Sequence, residues 1–249
     1  MANATSFGKQ ASVYATGRPG YPDDLYRWIS ENCNAHQCVW DVGTGSGQAA
    51  RCLTEYFDHV HATDISDAQI KTAKPHAQIT YLTTPAHIST LPDEAVDAVT
   101  VATALHWFAD GKFWAEVRRV AKPGALFAAW TYTLPSSETA AQAEFLNPVL
   151  NLIDPYWAKG NRLCMAGYTA EALNCPYPTR PVPKLDAGGI WTGQKLVNFV
   201  ESWSAHFRAR QDGLDKALGE LSQNFLDKYA DEALPISLPI SLLAATVSK

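Results

Sequence analysis

This chain of 249 residues lacks several sequence features that mark nucleic-acid-binding, membrane and disulfide-stabilised proteins. No run of lysine or arginine occurs, and the formal net charge is −5, so nothing gives a general attraction to nucleic acid or to an anionic membrane. No apolar run is long enough to cross a bilayer, and no basic segment followed by an apolar stretch begins the chain. We therefore expect small-molecule partners, with no nucleic acid and no membrane.

Paired cysteines are also missing. The five cysteines are odd in number and include no C-x-x-C motif. We interpret them as reduced packing residues rather than as a disulfide framework or a zinc site, and we expect no metal. Reduced thiols suit the cytoplasm. Apolar residues make up 47% of the chain, which is ample for the core of one α/β domain or of two small ones.

The most informative stretch is a glycine-rich turn after a short apolar run, at residues 39–47. An apolar run, alternating glycines and a helix-forming segment predict a strand, a tight turn and a helix. Glycine is needed where the backbone takes a positive φ or approaches a ligand closely, and open α/β sheets bind ligands beyond the carboxyl ends of their strands. A cofactor site at this turn is the first hypothesis, although many loops of this composition bind nothing.

The spacing of the glycines narrows the type of cofactor. The turn follows a G-x-G-x-G pattern, whereas the dinucleotide fingerprint requires a third glycine at the position of Gln48. With an acidic residue before it, the pattern resembles motif I of the class I S-adenosylmethionine-dependent methyltransferases. The resemblance implies that the turn lies against the amino-acid part of S-adenosylmethionine. It assigns five residues to the cofactor: Asp41, Gly43, Thr44, Gly45 and Gly47.

Residues 14–22 carry two X-Pro steps and two glycines, which predict a loop before a helix at residues 25–32. The loop resembles the Tyr-x-x-x-Arg-Pro-x-Tyr-Pro sequence of small-molecule methyltransferases similar to the trans-aconitate methyltransferase group. The resemblance implies that Tyr14, Arg18 and Tyr21 cover the cofactor. A surface loop held by aromatic packing is the alternative.

A second predicted strand ends in Asp64, which lies 23 positions after Asp41. This is close to the offset of about twenty residues at which an acidic side chain meets a ribose in nucleotide-binding βαβ units. A carboxylate can accept bonds from both vicinal hydroxyls. We predict that Asp64 binds the ribose and assign its neighbour Ile65 to the cofactor site; a helix N-cap before residues 68–74 is the alternative.

The third strand and its loop, residues 79–87, depart from the family pattern. The resembling family carries Gly-x-Ala-Glu or Gly-x-Ala-Asp here, with the acidic residue near the adenine, whereas this chain has Thr-Pro-Ala-His. Ala86 can still offer backbone groups to the adenine. His87 either bonds to the base or is simply exposed, and we assign both residues to the cofactor site.

A run of small and β-branched residues before residue 104 predicts a strand buried on both faces of a parallel sheet. It ends in Ala-Leu-His-Trp-Phe, which matches without a gap the end of the fourth strand in the resembling family. An aromatic cluster that packs the next helix, residues 111–120, is the alternative. We assign Ala104 and Leu105 to the cofactor, His106 to general-base catalysis, and Trp107 and Phe108 to the substrate.

The second half of the chain carries weaker signals. Trp130, in a predicted fifth strand, is assigned to the substrate site. Residues 139–180 are too long for an ordinary connection, and in the resembling family this position holds a cap over the substrate pocket. Within them Arg162 has a guanidinium suited to a carboxylate, with a surface ion pair as the alternative. Residues 196–210 predict one helix, and residues 235–247 predict a closing antiparallel strand.

Together these motifs predict a single domain over residues 1–249, with a cap insertion at 139–180. Its fold class is α/β: a Rossmann-like, doubly wound, seven-stranded and mainly parallel sheet with an antiparallel final strand and a helical cap. The resemblance implies an S-adenosylmethionine-dependent methyltransferase that acts on a small molecule, with carboxylate O-methylation as one reaction, by in-line attack on the sulfonium methyl group. A non-catalytic or partner-regulating S-adenosylmethionine-binding protein is the alternative. A nicotinamide dehydrogenase is disfavoured, since no Tyr-x-x-x-Lys pair is recognisable.

Overall fold

The computed structural model describes residues 19–249. The strands in that range are β1 Cys38–Val42, β2 His59–Asp64, β3 Ile79–Thr83, β4 Val96–Ala102, β5 Ala121–Tyr132, β6 Leu185–Asp186, β7 Gly189–Thr192, β8 Ala233–Ile236 and β9 Pro239–Thr246. The α-helices are α1 Asp23–Glu31, α2 Gln48–Leu53, α3 Asp67–Ile70, α4 Gly111–Val120, α5 Asn147–Ile153, α6 Lys159–Ala166, α7 Gly193–Glu201, α8 Ser204–Ala209 and α9 Asp215–Tyr229.

Seven strands form one sheet in the order β3-β2-β1-β4-β5-β9-β6. The first five in this order are parallel neighbours, and β9 is antiparallel to both β5 and β6. The predicted doubly wound, mainly parallel sheet with an antiparallel final strand is thereby confirmed. The strand order reverses between β1 and β4, and ligands of open α/β sheets bind at such a switch point, beyond the carboxyl ends of the strands.

Neighbouring residues of the central strands belong to two different apolar clusters, because successive side chains of a strand point to opposite faces. Val39 of β1 packs in one cluster with Leu25 and Ile29 of α1, whereas Trp40 packs in the other with Phe113 of α4. All five side chains are at most 1% exposed. Helices therefore cover both faces of the sheet, and a ligand reaches it at the strand ends.

Two helices, α7 and α8, occupy the range predicted as one helix at residues 196–210. The helix is interrupted at Ser202 and Trp203, where the Trp203 backbone is extended with φ of −75° and ψ of 138°. Ser202 Oγ donates to the carbonyl oxygen of Phe199 at 2.6 Å, and such local side-chain bonds compete with helix continuation. The prediction of a single helix was wrong at this break.

The closing strand predicted at residues 235–247 is also divided. β8 pairs with β7 in a separate two-stranded ladder, and β9 alone joins the large sheet. Pro235 and Pro239 lack the N–H group that a continuous ladder requires, so the segment can be shared between two ladders. The helix predicted at residues 68–74 is shorter than expected, since α3 ends at Ile70.

Candidate active site

In the turn between β1 and α2, residues 43–47, the three glycines have left-handed backbone, with φ of 68° at Gly43, 58° at Gly45 and 79° at Gly47. Glycine adopts this region without steric cost. A Cβ atom on Gly43 would lie 2.7 Å from Cβ of Ala104, so the loops after β1 and β4 can meet because this position is glycine. A Cβ atom on Gly45 would meet nothing nearer than Oε1 of Gln69 at 4.0 Å, so the backbone there borders open space.

Asp41, near the end of β1, is fully buried and holds this glycine turn in place. Its Oδ2 accepts a hydrogen bond from Thr44 Oγ1 at 2.6 Å, and its Oδ1 accepts one from Thr100 Oγ1 at 2.9 Å. Burial raises the pKa of Asp41 to about 6, against the opposite effect of the two hydroxyl bonds. The position of Asp41 is therefore that of a support for the turn rather than of a wall residue.

Asp64 ends β2 and faces the same turn. Its Oδ2 accepts from the backbone N–H of Gly45 at 2.9 Å, and its Oδ1 accepts from that of Ser66 at 2.8 Å. Desolvation raises the pKa of Asp64, and these backbone bonds oppose the rise. Because a carboxylate offers about four acceptor positions, it keeps capacity for the hydroxyl groups of a ligand.

These loops border a cavity of about 610 Å³, which we call the glycine-turn cleft. Small-molecule sites typically measure about 300–1,000 Å³. The strand ends bring to its wall eleven residues that the sequence assigned to cofactor or substrate: Tyr21, Gly43, Thr44, Gly45, Asp64, Ile65, Ala86, His87, Ala104, Trp107 and Phe108.

A second cavity, of about 70 Å³, adjoins the cleft and is called the side cavity. Thr103, Trp107 and Tyr132 line both cavities and form the junction between them. Among the described residues that line the side cavity, none is Lys, Arg, Asp or Glu. The rest of the wall comes from the turn after β4, from the end of β5, from α6 and the residue Trp157 before it, and from the residues around the break between α7 and α8. It includes His106, Asn161, Cys164, Met165, Phe199, Ser202, Trp203 and Ser204.

Thr103 lies at the junction, in the loop after β4. Its φ of 50° lies in the left-handed region, which is unusual for a β-branched residue. Its N–H donates to the carbonyl oxygen of Trp130 at 2.7 Å, and its hydroxyl lies 2.9 Å from the hydroxyl of Tyr21. Backbone strain of this kind persists where the surroundings impose it, often at functional sites.

His106 lies in a short 3₁₀ turn after β4 and lines the side cavity. Its Nδ1 is 2.7 Å from Oη of Tyr168 and 3.1 Å from Sγ of Cys164. Burial raises the pKa of Tyr168 well above its ordinary value, so its phenol keeps its proton. A neutral imidazole that donates its Nδ1–H to Tyr168 has Nε2 as its basic nitrogen.

Some residues assigned from the sequence do not reach either wall. Trp130 is fully buried and packs edge-on against Tyr21, so the structure places it in the core beside the site rather than on its surface. Arg162 is 51% exposed and pairs with Asp154 at 3.1 Å, which is the surface alternative. Asp41, Gly47 and Leu105 are likewise absent from both walls, among the residues described. Tyr14 and Arg18 lie outside the described residues.

Other wall residues were missed by the sequence assignment. Thr103 directly precedes the Ala-Leu-His-Trp-Phe sequence, and that adjacency was the available signal. The sequence predicted Trp203 only as part of a continuous helix over residues 196–210. Trp203 is 5% exposed and its ring lies 5.6 Å from that of Trp157, so it both packs and borders the side cavity. No local pattern indicates that residues near 132, 160 and 203 meet.

Comparisons with known proteins match this chain to methyltransferases. A family model described as a methyltransferase domain matches residues 40–129. A candidate methyltransferase from Dictyostelium discoideum is 27% identical over 227 residues, which are 90% of this chain and 86% of that protein. An uncharacterized methyltransferase from Mycobacterium tuberculosis is 35% identical over 122 residues, but these span only 48% of this chain and 49% of that one.

A solved structure decides the assignment. The candidate type II methyltransferase from Anaeromyxobacter dehalogenans is 34% identical, with a TM-score of 0.84, over 93% of this chain and 98% of that chain. The chain belongs to the class I S-adenosylmethionine-dependent methyltransferases. It is therefore an enzyme whose cofactor is S-adenosylmethionine and whose substrate is a methyl acceptor.

The residues present fit this cofactor. The backbone of Gly45 borders open space in the cleft, Asp64 retains acceptor capacity beside it, and the cleft volume of about 610 Å³ suits a molecule of this size. Within residues 19–249, no helix of this methyltransferase is both long and apolar enough to cross a membrane. The same range holds no group of three or more His, Cys, Asp or Glu placed to bind a metal ion.

Proposed function

We propose that this methyltransferase transfers the methyl group to a small molecule held in the side cavity. The observation that supports the proposal is the junction, because Thr103, Trp107 and Tyr132 line both cavities. Two ligands that occupy adjoining cavities can bring a donor and an acceptor atom together at their shared border. Alignment and exclusion of water supply much of the rate enhancement in such a transfer.

In this proposal the glycine-turn cleft binds the cofactor along the strand ends. When bound, S-adenosylmethionine supplies an electrophilic methyl group on a sulfonium sulfur. The backbone of the glycine turn borders the amino-acid part, and Asp64 accepts hydrogen bonds from the ribose hydroxyls. Ile65, Ala86 and His87 border the adenine, while Ala104 and Phe108 pack against the turn from the loop after β4.

We assign the role of general base to His106. If its Nδ1–H is donated to Tyr168 Oη at 2.7 Å, Nε2, which lies 3.7 Å from Cys164 Sγ, is the nitrogen that would accept the proton of a hydroxyl or amine. A carboxylate nucleophile would need no base, but it would need a cation nearby. Among the described residues, none that lines the side cavity is Lys or Arg. We therefore favour a hydroxyl or amine as the methylated group.

The cap is part of the same proposal. Trp157, Asn161 and Met165 belong to the segment 139–180 and line the side cavity together with the α7–α8 break. We propose that residues 1–249 act as one domain in which this segment and the α7–α8 break close over the acceptor.

A natural reporter allows a direct test. Methionine occurs twice in the chain, as Met1 and Met165, and Met165 lines the side cavity. In protein labelled with ¹³C in the methionine methyl groups, an acceptor found by screening small molecules with S-adenosylmethionine is expected to shift the Met165 signal. Transfer only to protein or nucleic acid, or a methylated small molecule that leaves the Met165 signal unchanged, would refute the proposal.

A further inference from the structure

An arginine of α2 lies on the wall of the glycine-turn cleft, and its side chain has no partner within residues 19–249. Arg51 is partly buried and lines the cleft. Its carbonyl oxygen accepts from Thr54 Oγ1 at 2.7 Å, but no hydrogen bond or ion pair of its guanidinium occurs within that range. The five N–H donors of the guanidinium are therefore available to a ligand in the cleft.

The guanidinium lies close to the glycine turn. The N–H of Arg51 donates to the carbonyl oxygen of Gly47 at 3.1 Å, so Arg51 is one helical turn beyond the last glycine, and helical side chains extend towards the preceding turn. Tyr81 of β3 covers the same glycine, because a Cβ atom on Gly47 would lie 2.8 Å from Tyr81 Cε1. Burial raises the pKa of Tyr81, and the positive charge of Arg51 opposes the rise, so the guanidinium is near this ring.

The other charges around the turn are mainly negative. Asp64 accepts from the N–H of Gly45 at 2.9 Å, and Asp41 lies beneath the turn. Burial raises the pKa of Asp41, and the nearby Asp64 adds to the rise. Among the described residues of the cleft wall, Arg51 is the one lysine or arginine, whereas Asp64 and Asp110 bring carboxylates. An anionic group bound at this turn therefore has Arg51 as its nearest source of positive charge within the wall described.

We propose that Arg51 binds the carboxylate of the amino-acid part of S-adenosylmethionine. The inference rests on the proposed function, which sets that part of the cofactor against the glycine turn. The amino-acid part carries a carboxylate beside two positive groups, the ammonium and the sulfonium. The positive groups suit a turn flanked by acidic side chains, whereas the carboxylate requires a counter-charge, and Arg51 supplies it.

An arginine suits this role better than a lysine would. A guanidinium matches a carboxylate through two parallel N–H bonds, which fix the orientation of the carboxylate as well as its distance. Charge-assisted hydrogen bonds of this kind are also stronger than those between neutral groups. Arg51 would thereby determine which of two closely related nucleosides the cleft prefers, the one with the carboxylate or the one without it.

The test uses two nucleosides that differ in that one group. S-adenosylhomocysteine and its decarboxylated analogue, S-adenosylthiopropylamine, share the adenosine, the thioether and the amino group, and each is titrated into the full chain by calorimetry. The wild-type protein is expected to bind S-adenosylhomocysteine more tightly. Arg51→Gln is expected to weaken S-adenosylhomocysteine binding roughly tenfold or more, because it removes hydrogen bonds to a charged group, and to leave binding of the analogue within about twofold.

Two variants make the result specific. Arg51→Lys keeps the charge but not the planar fork, so it is expected to keep part of the preference, and it replaces Arg51→Gln if that variant does not fold. Arg27→Gln is the matched control, since its exposed guanidinium pairs with Asp24 at 2.6 Å and does not line the cleft, and it should bind both nucleosides as the wild type does.

Arg18 provides the competing explanation, because the resemblance assigned it to the cofactor. If Arg18→Gln abolishes the preference for the carboxylate and Arg51→Gln retains it, Arg18 holds the carboxylate and the role of Arg51 is overturned. Equal binding of the two nucleosides by the wild type would overturn it as well.

The outcomes also separate this inference from the proposed function. Neither of the results against Arg51 would touch the proposed transfer to a small molecule in the side cavity, which fails instead if a small molecule is methylated without any change at Met165. The proposed place of the ribose is tested independently, through the effect of Asp64→Ala on binding of both nucleosides.

Discussion

The glycine-turn cleft and the side cavity meet at Thr103, yet the chain builds them in different ways. The cleft collects the ends of β1 to β4, which follow one another in sequence, and almost all of its wall lies within the family match at residues 40–129. The side cavity joins the loop after β4 to three regions that lie beyond that match, namely the end of β5 from Thr131, the segment before and within α6, and the α7–α8 break. The wall of the cleft is thus built from local segments, whereas the side cavity is assembled from segments that are distant in sequence.

The largest expected effect concerns chemistry in the side cavity. His106→Ala should lower turnover by roughly a hundredfold or more, because general-base catalysis contributes that much, while affinity for S-adenosylhomocysteine in the cleft stays within about twofold. Tyr168→Phe, which removes the hydroxyl 2.7 Å from His106 Nδ1, should have a smaller effect on turnover. Steady-state kinetics and calorimetry measure the two quantities. Unchanged turnover in His106→Ala would make the histidine structural.

The next largest effect is on the pH dependence of folding stability, through a buried histidine of α8. His206 of α8 is 2% exposed, and burial lowers its pKa to about 4 from an ordinary value near 6.5. Between these pH values the imidazole is protonated in the unfolded chain but not in the folded one. The free energy of unfolding therefore falls as the pH drops from about 6.5 towards 4, by up to roughly 3 kcal/mol. Denaturant unfolding across this range should show a flatter acid slope in His206→Gln than in the wild type.

His76→Gln is the control for that slope, because it removes an exposed histidine. If both variants unfold with the wild-type pH dependence, His206 is not the group responsible.

The contribution of Asp41, beside the cleft, to folding stability is expected to depend on pH with the opposite sign to that of His206. Burial raises the pKa of Asp41 to about 6 from an ordinary value near 3.8. The folded protein therefore holds a proton that the unfolded chain has released, and the Asp41 contribution to stability falls as the pH rises from about 4 to 6, by roughly 3 kcal/mol at most. Asp41→Asn should gain stability over the wild type as the pH rises through this interval.

Unfolding curves at matched pH values measure this difference, and the exposed Asp58→Asn serves as the control. A constant difference between Asp41→Asn and the wild type from pH 4 to 7 would contradict the assignment.

A smaller effect tests the cofactor site itself. Asp64→Ala should weaken S-adenosylhomocysteine binding by more than roughly tenfold, because it removes charge-assisted acceptors and the bonds to Gly45 and Ser66. Asp67→Ala is the control, since its carboxylate pairs with Lys71 on the surface. Calorimetry decides between them, and equal dissociation constants would place the ribose elsewhere.

The smallest effect tests how tightly α6 closes the side cavity. A Cβ atom on Gly160 would lie 3.1 Å from both His106 Cδ2 and Trp107 Cζ3. Gly160→Ala should change the acceptor KM by about two- to fivefold without weakening cofactor binding, although alanine favours the helix by up to about 1 kcal/mol. Gly219→Ala in α9 meets no neighbour and should change stability alone. An identical KM in the two variants would show that α6 does not fix these rings.

The sequence predicted the cleft well because its signals are local. The alternating glycines, the acidic end of β2 and the Ala-Leu-His-Trp-Phe strand end each identify a wall segment within a few residues. Even there, Asp41 was assigned to the cofactor although its carboxylate supports the turn through Thr44 and Thr100. The direction of a side chain depends on its partners across the sheet, which the linear pattern does not contain.

The side cavity shows what local patterns miss. Arg162 stands in a segment that looks suited to substrate binding, yet its guanidinium pairs with Asp154, whereas Arg208 of an apparent core helix lies behind Ser204 at the cavity wall. The helix is interrupted at Ser202, whose side chain bonds to the carbonyl oxygen of Phe199, and the periodicity of the sequence does not indicate this interruption.

The sequence by itself therefore determined the class of fold and the family, and it indicated the strand ends that border the cleft, because strand-turn-helix units encode their glycines, acids and apolar runs in consecutive residues. Only the tertiary structure decided which side chains enclose the side cavity, since β5, α6 and α8 come together through packing of apolar faces that many sequences share. That packing also determines which arginines lie beside a carboxylate and which do not. For this reason no sequence motif marks the residues that line the side cavity.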